Sequence, residues 1–304
     1  MSFSPEDLPE HPAPGPAPAD AVPVWGRAPS PVQAEQSPAD SSAESGGSGV
    51  RLGASEFAEV QPRDPVWNGL DVFRLMITAI IAIVISGLAM LAVVPGATFK
   101  ARVLRLSLLP ELLIVAQMLA YLLLLGYMYI LVTKERGSPR FWKAIRWNWP
   151  ANVWPFLGVG LVMQIVFVFL ERFLPFPKQT PFDDLLQRHT AIILISVFAV
   201  TLGPFMEEMF FRGFLYPVLE RRFGMIAGIS VTALGFGLMH AAQYGYSWAS
   251  VLLICLVGVV LGVVRARKDS VAASFLVHMA YNGTIALAMF AVTGGFRHLE
   301  KLNQ

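Results

Sequence analysis

Seven long apolar stretches follow one another from Val72 onward, and each is long enough to cross a membrane as a helix. They lie at residues 72–94, 110–132, 151–171, 191–217, 225–244, 248–264 and 271–292. About 20 residues of apolar helix span the hydrocarbon core of a bilayer, whereas the strands of a membrane barrel alternate apolar and polar residues over about ten positions. The stretches show no such alternation. The pattern predicts an all-α, polytopic membrane helix bundle of about seven transmembrane helices, and the semi-apolar residues 98–109 and 173–189 leave the count open by one.

The first 65 residues differ from the rest of the chain in composition. They contain the segments PAPGPAPAD and SSAESGGSG and show no hydrophobic periodicity. Such a segment cannot bury enough apolar surface to offset its conformational entropy. We therefore predict that residues 1–65 form a disordered, acidic, Pro/Ala/Ser-rich tail, either a solvated spacer or a docking segment for a partner. Residues 66–304 are predicted to form the membrane domain, with the N-terminal helices in residues 72–171.

Composition and charge exclude several classes of protein. The chain is 55% hydrophobic and 14% charged, and a soluble protein has about a quarter of its residues charged. The first 50 residues carry a net charge of −6; because the whole chain carries +2, residues 51–304 carry +8. Their basic residues lie in short loops between apolar stretches, which is typical of membrane topology, so we expect no nucleic-acid partner. The only cysteine, Cys255, can form neither an intramolecular disulfide nor a cysteine metal cluster.

Basic residues in the loops suggest an orientation. Lysine and arginine are enriched in cytoplasmic loops, and ten of them lie in one set of alternate loops against eight in the other. The excess favours a cytoplasmic N-terminus for an integral, multi-pass protein of the plasma (inner) membrane. The acidic, proline-rich N-terminus does not resemble a cleavable secretory signal. The tryptophans of residues 142–154 are typical of an interfacial aromatic belt.

Polar and ionisable residues are concentrated in the last four apolar stretches. Such residues are costly inside a membrane and are functional candidates by default. The set consists of Glu207, Glu208, Arg212, His240, His278 and Asn282. The first three stretches contain almost none, so this contrast points to a functional site in the C-terminal half.

The spacing within residues 203–224 separates the two acids. Glu208 and Arg212 are four residues apart and can form an ion pair on a helix. Glu207 lies about 100° further around the helix and is predicted to remain available as a general base or acid. The alternative is that both acids belong to a structural network around Arg212.

Two further pairs have helical spacing. Phe236 and His240 share one helix face, and His278 and Asn282 share another, because each pair is four residues apart. Counted from the centres of their stretches at about 1.5 Å per residue, the two histidines, Asn282 and Glu207 all lie within about 10 Å of the midplane. We therefore expect them to meet in one site; hydrogen-bonded packing residues are the alternative.

These three motifs together resemble one known family. The set Glu207-Glu208-x-x-x-Arg212, Phe236-x-x-x-His240 and His278-x-x-x-Asn282 resembles the CPBP family of intramembrane proteases. That family includes the type II CAAX prenyl endopeptidases and the bacteriocin-processing and lysostaphin-resistance-like (ABI-domain) membrane proteins. The resemblance covers residues 190–290, about a third of the chain.

The resemblance implies peptide-bond hydrolysis within the bilayer and a role for each residue. Glu207 with His240 would activate the attacking water. His278 and Asn282 would donate hydrogen bonds to the developing oxyanion. Glu208 and Arg212 would hold the motif helix in place. Phe236 would also have a supporting role.

A metal-dependent alternative stays open. The family is often described as metalloproteases, and a catalytic zinc takes three protein ligands and a water. Glu207, His240 and His278 could provide them, but no general base would then remain, because Glu208 is expected to pair with Arg212. The residues favour a metal-free site over a divalent metal such as Zn²⁺, and no organic cofactor is expected.

Three functions are compatible with the sequence. The favoured one is an intramembrane endopeptidase that acts on a membrane-associated peptide or protein, with the lipid bilayer as its environment. The second is a non-catalytic scaffold or immunity protein of the same fold. The third is a small transporter or proton relay, although transporters usually contain internal repeats and this chain shows none.

Overall fold

A computed structural model describes residues 64–303, and these residues contain helices and no strands. The α-helices are α1 (Gly69–Val93), α2 (Phe99–Ser107), α3 (Pro110–Ile130), α4 (Phe141–Ala144), α5 (Trp154–Glu171), α6 (Pro181–Leu185), α7 (His189–Val200), α8 (Leu202–Glu208), α9 (Tyr216–Met239), α10 (Trp248–Lys268) and α11 (Val271–Val292). Two π-helical turns, Leu131–Glu135 and Met209–Leu215, and a final 3₁₀ turn, Leu299–Asn303, complete the list. The predicted tail lies outside the described residues, apart from its last two positions.

Six helical segments of the described chain are long and apolar enough to cross a membrane, and one of them, His189–Met239, is 51 residues long. That segment folds back at Gly224, whose φ of 83° and ψ of 167° are not helical. A side chain at Gly228 would lie 3.1 Å from the backbone nitrogen of Glu220, so the two halves of α9 pack against each other. Each of the seven apolar stretches thus contains helix, and the predicted all-α membrane bundle of about seven helices is confirmed.

The semi-apolar stretches add no crossing. Residues 98–109 form the nine-residue α2, and residues 173–189 contain the five-residue α6. Both are too short to span a bilayer. Each begins with a threonine N-cap, Thr98 or Thr180, whose side chain accepts a backbone N–H three residues later.

Contacts at the two ends of the bundle connect alternate loops. At the end of the bundle where α1 begins, Arg146 of the loop before α5 pairs with Asp64 and with Asp269 of the α10–α11 loop. At the opposite end, Arg188 donates a hydrogen bond to the carbonyl oxygen of Leu108 at 2.9 Å. This is the arrangement expected of a chain that crosses seven times in alternating directions.

One helix is shorter than the sequence pattern predicts. The stretch 225–244 was expected to be helical throughout, but α9 ends at Met239. Gly245 and Tyr246 both have positive φ values, and the N–H of Tyr246 returns to the carbonyl oxygen of Ala241 at 2.7 Å. The turn places His240 at the C-terminal cap of α9. In a continuous helix, His240 would instead lie within the helix, away from its end.

Small residues allow close contacts between helices. In α5, a Cβ at Gly160 would lie 2.5 Å from the carbonyl oxygen of Val277 and 2.7 Å from the Cβ of Ala280, both in α11. Glycines at membrane helix interfaces allow backbones to approach in this way. Because α11 carries His278 and Asn282, the α5–α11 contact supports the site.

The two glycines of α5 provide a test of this packing. We expect Gly160→Val to lower the free energy of unfolding by about 1–3 kcal/mol, because the new side chain overlaps α11. Gly158→Val is the matched control: it is two residues away in the same helix, and beyond its own turn of helix no atom lies within 4 Å of its Cβ position. Thermal unfolding in detergent should show a lower midpoint for Gly160→Val alone. Equal midpoints would contradict the assigned contact.

Candidate active site

The two adjacent glutamates lie where one helix is interrupted and another begins. Pro204 has no N–H to offer the carbonyl of Val200. Helix α7 ends at Val200, and its cap residue Thr201 has non-helical φ and ψ values of −116° and −82°. The chain restarts as α8, which ends at Glu208 and continues directly into the π-helical turn Met209–Leu215.

Glu208 and Arg212 form the ion pair that their spacing predicts. Nη1 of Arg212 donates to Oε1 of Glu208 at 2.9 Å, and both side chains have zero exposure. Nη2 donates to the carbonyl oxygen of Gly258 in α10 at 3.0 Å, and the guanidinium lies 4.8 Å from the ring centroid of Phe236 in α9. A charge-assisted pair thus connects three segments of the bundle.

Side chains from outside the π-helical turn bond to its backbone. Nε of Arg265 donates to the carbonyl oxygen of Arg212 at 3.1 Å. Nε1 of Trp67, in the segment before α1, donates to the carbonyl oxygen of Phe214 at 3.0 Å, and the two aromatic rings are 4.7 Å apart. The turn that follows the glutamates is therefore held by both α10 and the entry segment of the domain.

Glu207 faces two imidazole rings. Its Oε1 lies 3.9 Å from Nε2 of His240, and its Oε2 lies 3.7 Å from Nε2 of His278. Both distances exceed a direct hydrogen bond, but polar groups at this separation can share a water. The carboxylate accepts no hydrogen bond within residues 64–303, so both of its oxygens are free to bind one.

The remaining ring nitrogens define the histidine tautomers. Nδ1 of His240 lies 2.9 Å from the carbonyl oxygen of Phe236, and Nδ1 of His278 lies 3.0 Å from Oε1 of Glu208. Because a carbonyl oxygen and a carboxylate paired with arginine only accept, we assign the proton to Nδ1 in both rings. In a neutral ring, Nε2 then presents a lone pair toward Glu207.

Asn282 lies one helical turn from His278 and bonds to α7. Its Nδ2 donates to the carbonyl oxygen of Ala199 at 2.7 Å. That carbonyl is near the break that Pro204 imposes, so Asn282 connects α11 to the helix that leads to Glu207. One amide hydrogen of Asn282 remains unassigned.

All four candidate catalytic residues line one cavity of about 260 Å³. Three tyrosines lie near the motif residues in the sequence: Tyr244, Tyr246 and Tyr281. Tyr244 and Tyr281 do line the cavity, but Tyr246 is 77% exposed and does not. Burial raises the pKa of Tyr244 to about 12, so this residue contributes a neutral phenol.

Sequence reasoning missed two polar residues of the cavity, Ser196 of α7 and Gln243 of the loop after α9. A single serine within an apolar stretch has no spacing partner to mark it. Gln243 lies in a segment that was predicted to continue the helix.

The candidate metal ligands fit zinc in type but not in spacing. Glu207, His240 and His278 are carboxylate and imidazole donors, and their Nδ1 contacts resemble those that orient metal-bound histidines. Donors at about 2.0–2.1 Å from one tetrahedral zinc lie roughly 3.3–3.4 Å apart, whereas the two measured pairs are wider, at 3.7 and 3.9 Å. Among the described residues, no group of three or more His, Cys, Asp or Glu side chains lies at metal-ligand spacing.

One comparison with known protein families gives a match, and it lies in the C-terminal half of the chain. Residues 189–284 match the family model described as "Type II CAAX prenyl endopeptidase Rce1-like", and this range contains all seven motif residues. No curated protein and no solved structure matches the chain. The match begins with α7 and ends within α11, so it covers the helices that carry the site and about a third of the chain. The match confirms the resemblance carried by the three motifs: residues 189–284 are similar to the Rce1-like type II CAAX prenyl endopeptidases.

Proposed function

We propose that this protein is an intramembrane endopeptidase that hydrolyses a peptide bond of a membrane-associated substrate. One observation carries the proposal: an otherwise unbonded carboxylate, Glu207, faces Nε2 of His240 and of His278 inside a largely apolar cavity. A scaffold would need neither a free base nor this convergence.

The first step is activation of water. A water between Glu207 and His240 can donate one hydrogen bond to the carboxylate and one to the Nε2 lone pair. Glu207 removes a proton as the water oxygen bonds to the substrate carbonyl carbon, and the carbonyl oxygen becomes an oxyanion. The proton then passes from Glu207 to the amide nitrogen as the C–N bond breaks, which leaves a carboxylic acid and an amine. General base catalysis of this kind contributes about 10²–10⁴-fold.

His278 and Asn282 are proposed to stabilise the oxyanion. Asn282 keeps one amide hydrogen after its bond to Ala199. His278 can donate from Nε2 when both of its ring nitrogens carry protons, because Nδ1 is already directed at Glu208. Removal of one such donor typically costs about 3–4 kcal/mol of transition-state stabilisation.

Glu208 and Arg212 have a positioning role. Their pair leaves Glu207 as the glutamate that faces the cavity, and it connects the catalytic segment to α9 and α10 through Phe236 and Gly258. We place neither residue in contact with the substrate.

Replacement of Glu207 tests the catalytic assignment. We expect Glu207→Gln to reduce cleavage at least about 100-fold while the protein accumulates normally, because the amide retains the size of the carboxylate. Peptide termini would be compared in membranes that contain wild type, Glu207→Gln or the control Glu171→Gln at equal levels. Termini present with wild type and the control only would establish proteolysis. Identical termini in all three would favour the scaffold function.

Replacement of Arg212 tests the division of roles between the two acids. Arg212→Ala leaves Glu208 buried without its partner, and we expect it to destabilise the protein by about 3–5 kcal/mol. The exposed Arg222→Ala is the matched control. Accumulation and thermal midpoint in detergent provide the measurements. Normal accumulation of Arg212→Ala, together with failure of Glu207→Gln to accumulate, would reverse the two roles.

Metal dependence can be tested on the purified protein. We expect cleavage to persist after chelation, with sub-stoichiometric metal by elemental analysis, because the proposed steps use only side chains and water. Loss of activity that only Zn²⁺ restores would instead assign Glu207, His240 and His278 as ligands.

A further inference from the structure

Ser196 is a buried hydroxyl without a protein partner. Its side chain is in the middle of α7, the residue is 8% exposed, and Oγ has no hydrogen-bond partner among the described residues. A serine or threonine within a helix commonly bonds back to the carbonyl four residues earlier. Thr232 does so at 2.7 Å and Thr284 at 2.8 Å, but Ser196 does not.

Stability does not account for this hydroxyl. An unpaired buried polar group costs about 1–3 kcal/mol, and alanine at position 196 would avoid that cost. The cost of burying the hydroxyl can be offset by a hydrogen-bond partner that is not part of the chain, such as a bound ligand.

The location of Ser196 indicates where such a partner would bind. The residue lines the cavity that contains Glu207. It lies three residues before Ala199, whose carbonyl accepts from Asn282, so the same face of α7 carries Ser196 and the contact to α11. The unpaired hydroxyl is thus in the wall of the candidate active site.

We propose that Ser196 is a substrate-binding residue whose hydroxyl donates a hydrogen bond to a backbone carbonyl of the bound peptide, outside the scissile bond. The ligand class is a peptide with apolar side chains and a locally unwound backbone. Apolar residues also line the cavity, including Ile195, Phe198 and Ile285, and these suit such side chains. This inference rests on the proposed function.

The requirement for an unwound backbone follows from hydrogen bonding. Within a helix, each carbonyl is already bonded to the N–H four residues later. An unwound segment has carbonyls without partners, and these are costly in an apolar environment. Ser196 would supply one of the missing donors and hold the segment beside Glu207.

The test uses Ser196→Ala with Ser86→Ala as its control. Ser86 in α1 also has a buried hydroxyl without a partner among the described residues, but it does not line the cavity. The probe is a synthetic peptide that spans the cleavage site found with wild type and absent with Glu207→Gln. We expect Ser196→Ala to raise KM about three- to tenfold, the size of one neutral hydrogen bond, with little change in kcat and an equal or higher thermal midpoint. Ser86→Ala should leave KM unchanged.

Peptides with one amide at a time replaced by an ester locate the contact, because an ester carbonyl is the weaker acceptor. At one position outside the scissile bond, the ester should raise KM for wild type and have no such effect on Ser196→Ala, as in a double-mutant cycle. An unchanged KM for Ser196→Ala, or equal ester effects in both proteins at every position, would overturn this inference alone. Absence of any wild-type-specific terminus would overturn the proposed function and this inference with it.

Discussion

The buried ion pair between Glu208 and Arg212 is the interaction on which the rest of the site depends. Neither side chain is exposed, and the pair lies in a segment that crosses an apolar environment, where a charge without a partner is very costly. Its remaining contacts come from other helices: the carbonyl of Gly258, the ring of Phe236 and Nδ1 of His278. The requirement to satisfy two charges therefore brings α9, α10 and α11 around the end of α8.

The same pair determines what Glu207 can do. Adjacent residues on a helix point about 100° apart, so a Glu208 directed at Arg212 leaves Glu207 directed elsewhere, here into the cavity. His278 connects the two acids, with Nδ1 on Glu208 and Nε2 toward Glu207. The structural pair thus orients an imidazole that the proposed reaction uses.

Some of this arrangement follows from the sequence, because it depends on local spacing. The Glu208–Arg212 pair and the helices formed by the seven apolar stretches are of this kind. The tautomers of the two histidines could not be read from the sequence. The tautomer of His240 depends on a contact with a backbone carbonyl, and that of His278 depends on a carboxylate from another helix. The end of α9 at Met239 was missed because the apolar residues after it continue the hydrophobic pattern. Pro204 was a visible signal for the helix break, and its consequence for Ala199 and Asn282 could have been inferred.

The polar groups of the domain fall into two classes that separate folding from function. Glu208, Arg212 and Asn282 are bonded to other parts of the chain and so contribute to the folded structure, although Oε2 of Glu208 and Nε of Arg212 have no partner among the described residues. Glu207 and Ser196 lack partners among the described residues, and both border the same cavity. Folding alone gives no reason to keep an unpaired carboxylate and an unpaired hydroxyl in one apolar cavity. In the proposed function, a water and an unwound peptide provide the missing hydrogen bonds, and they are the two reactants of peptide hydrolysis.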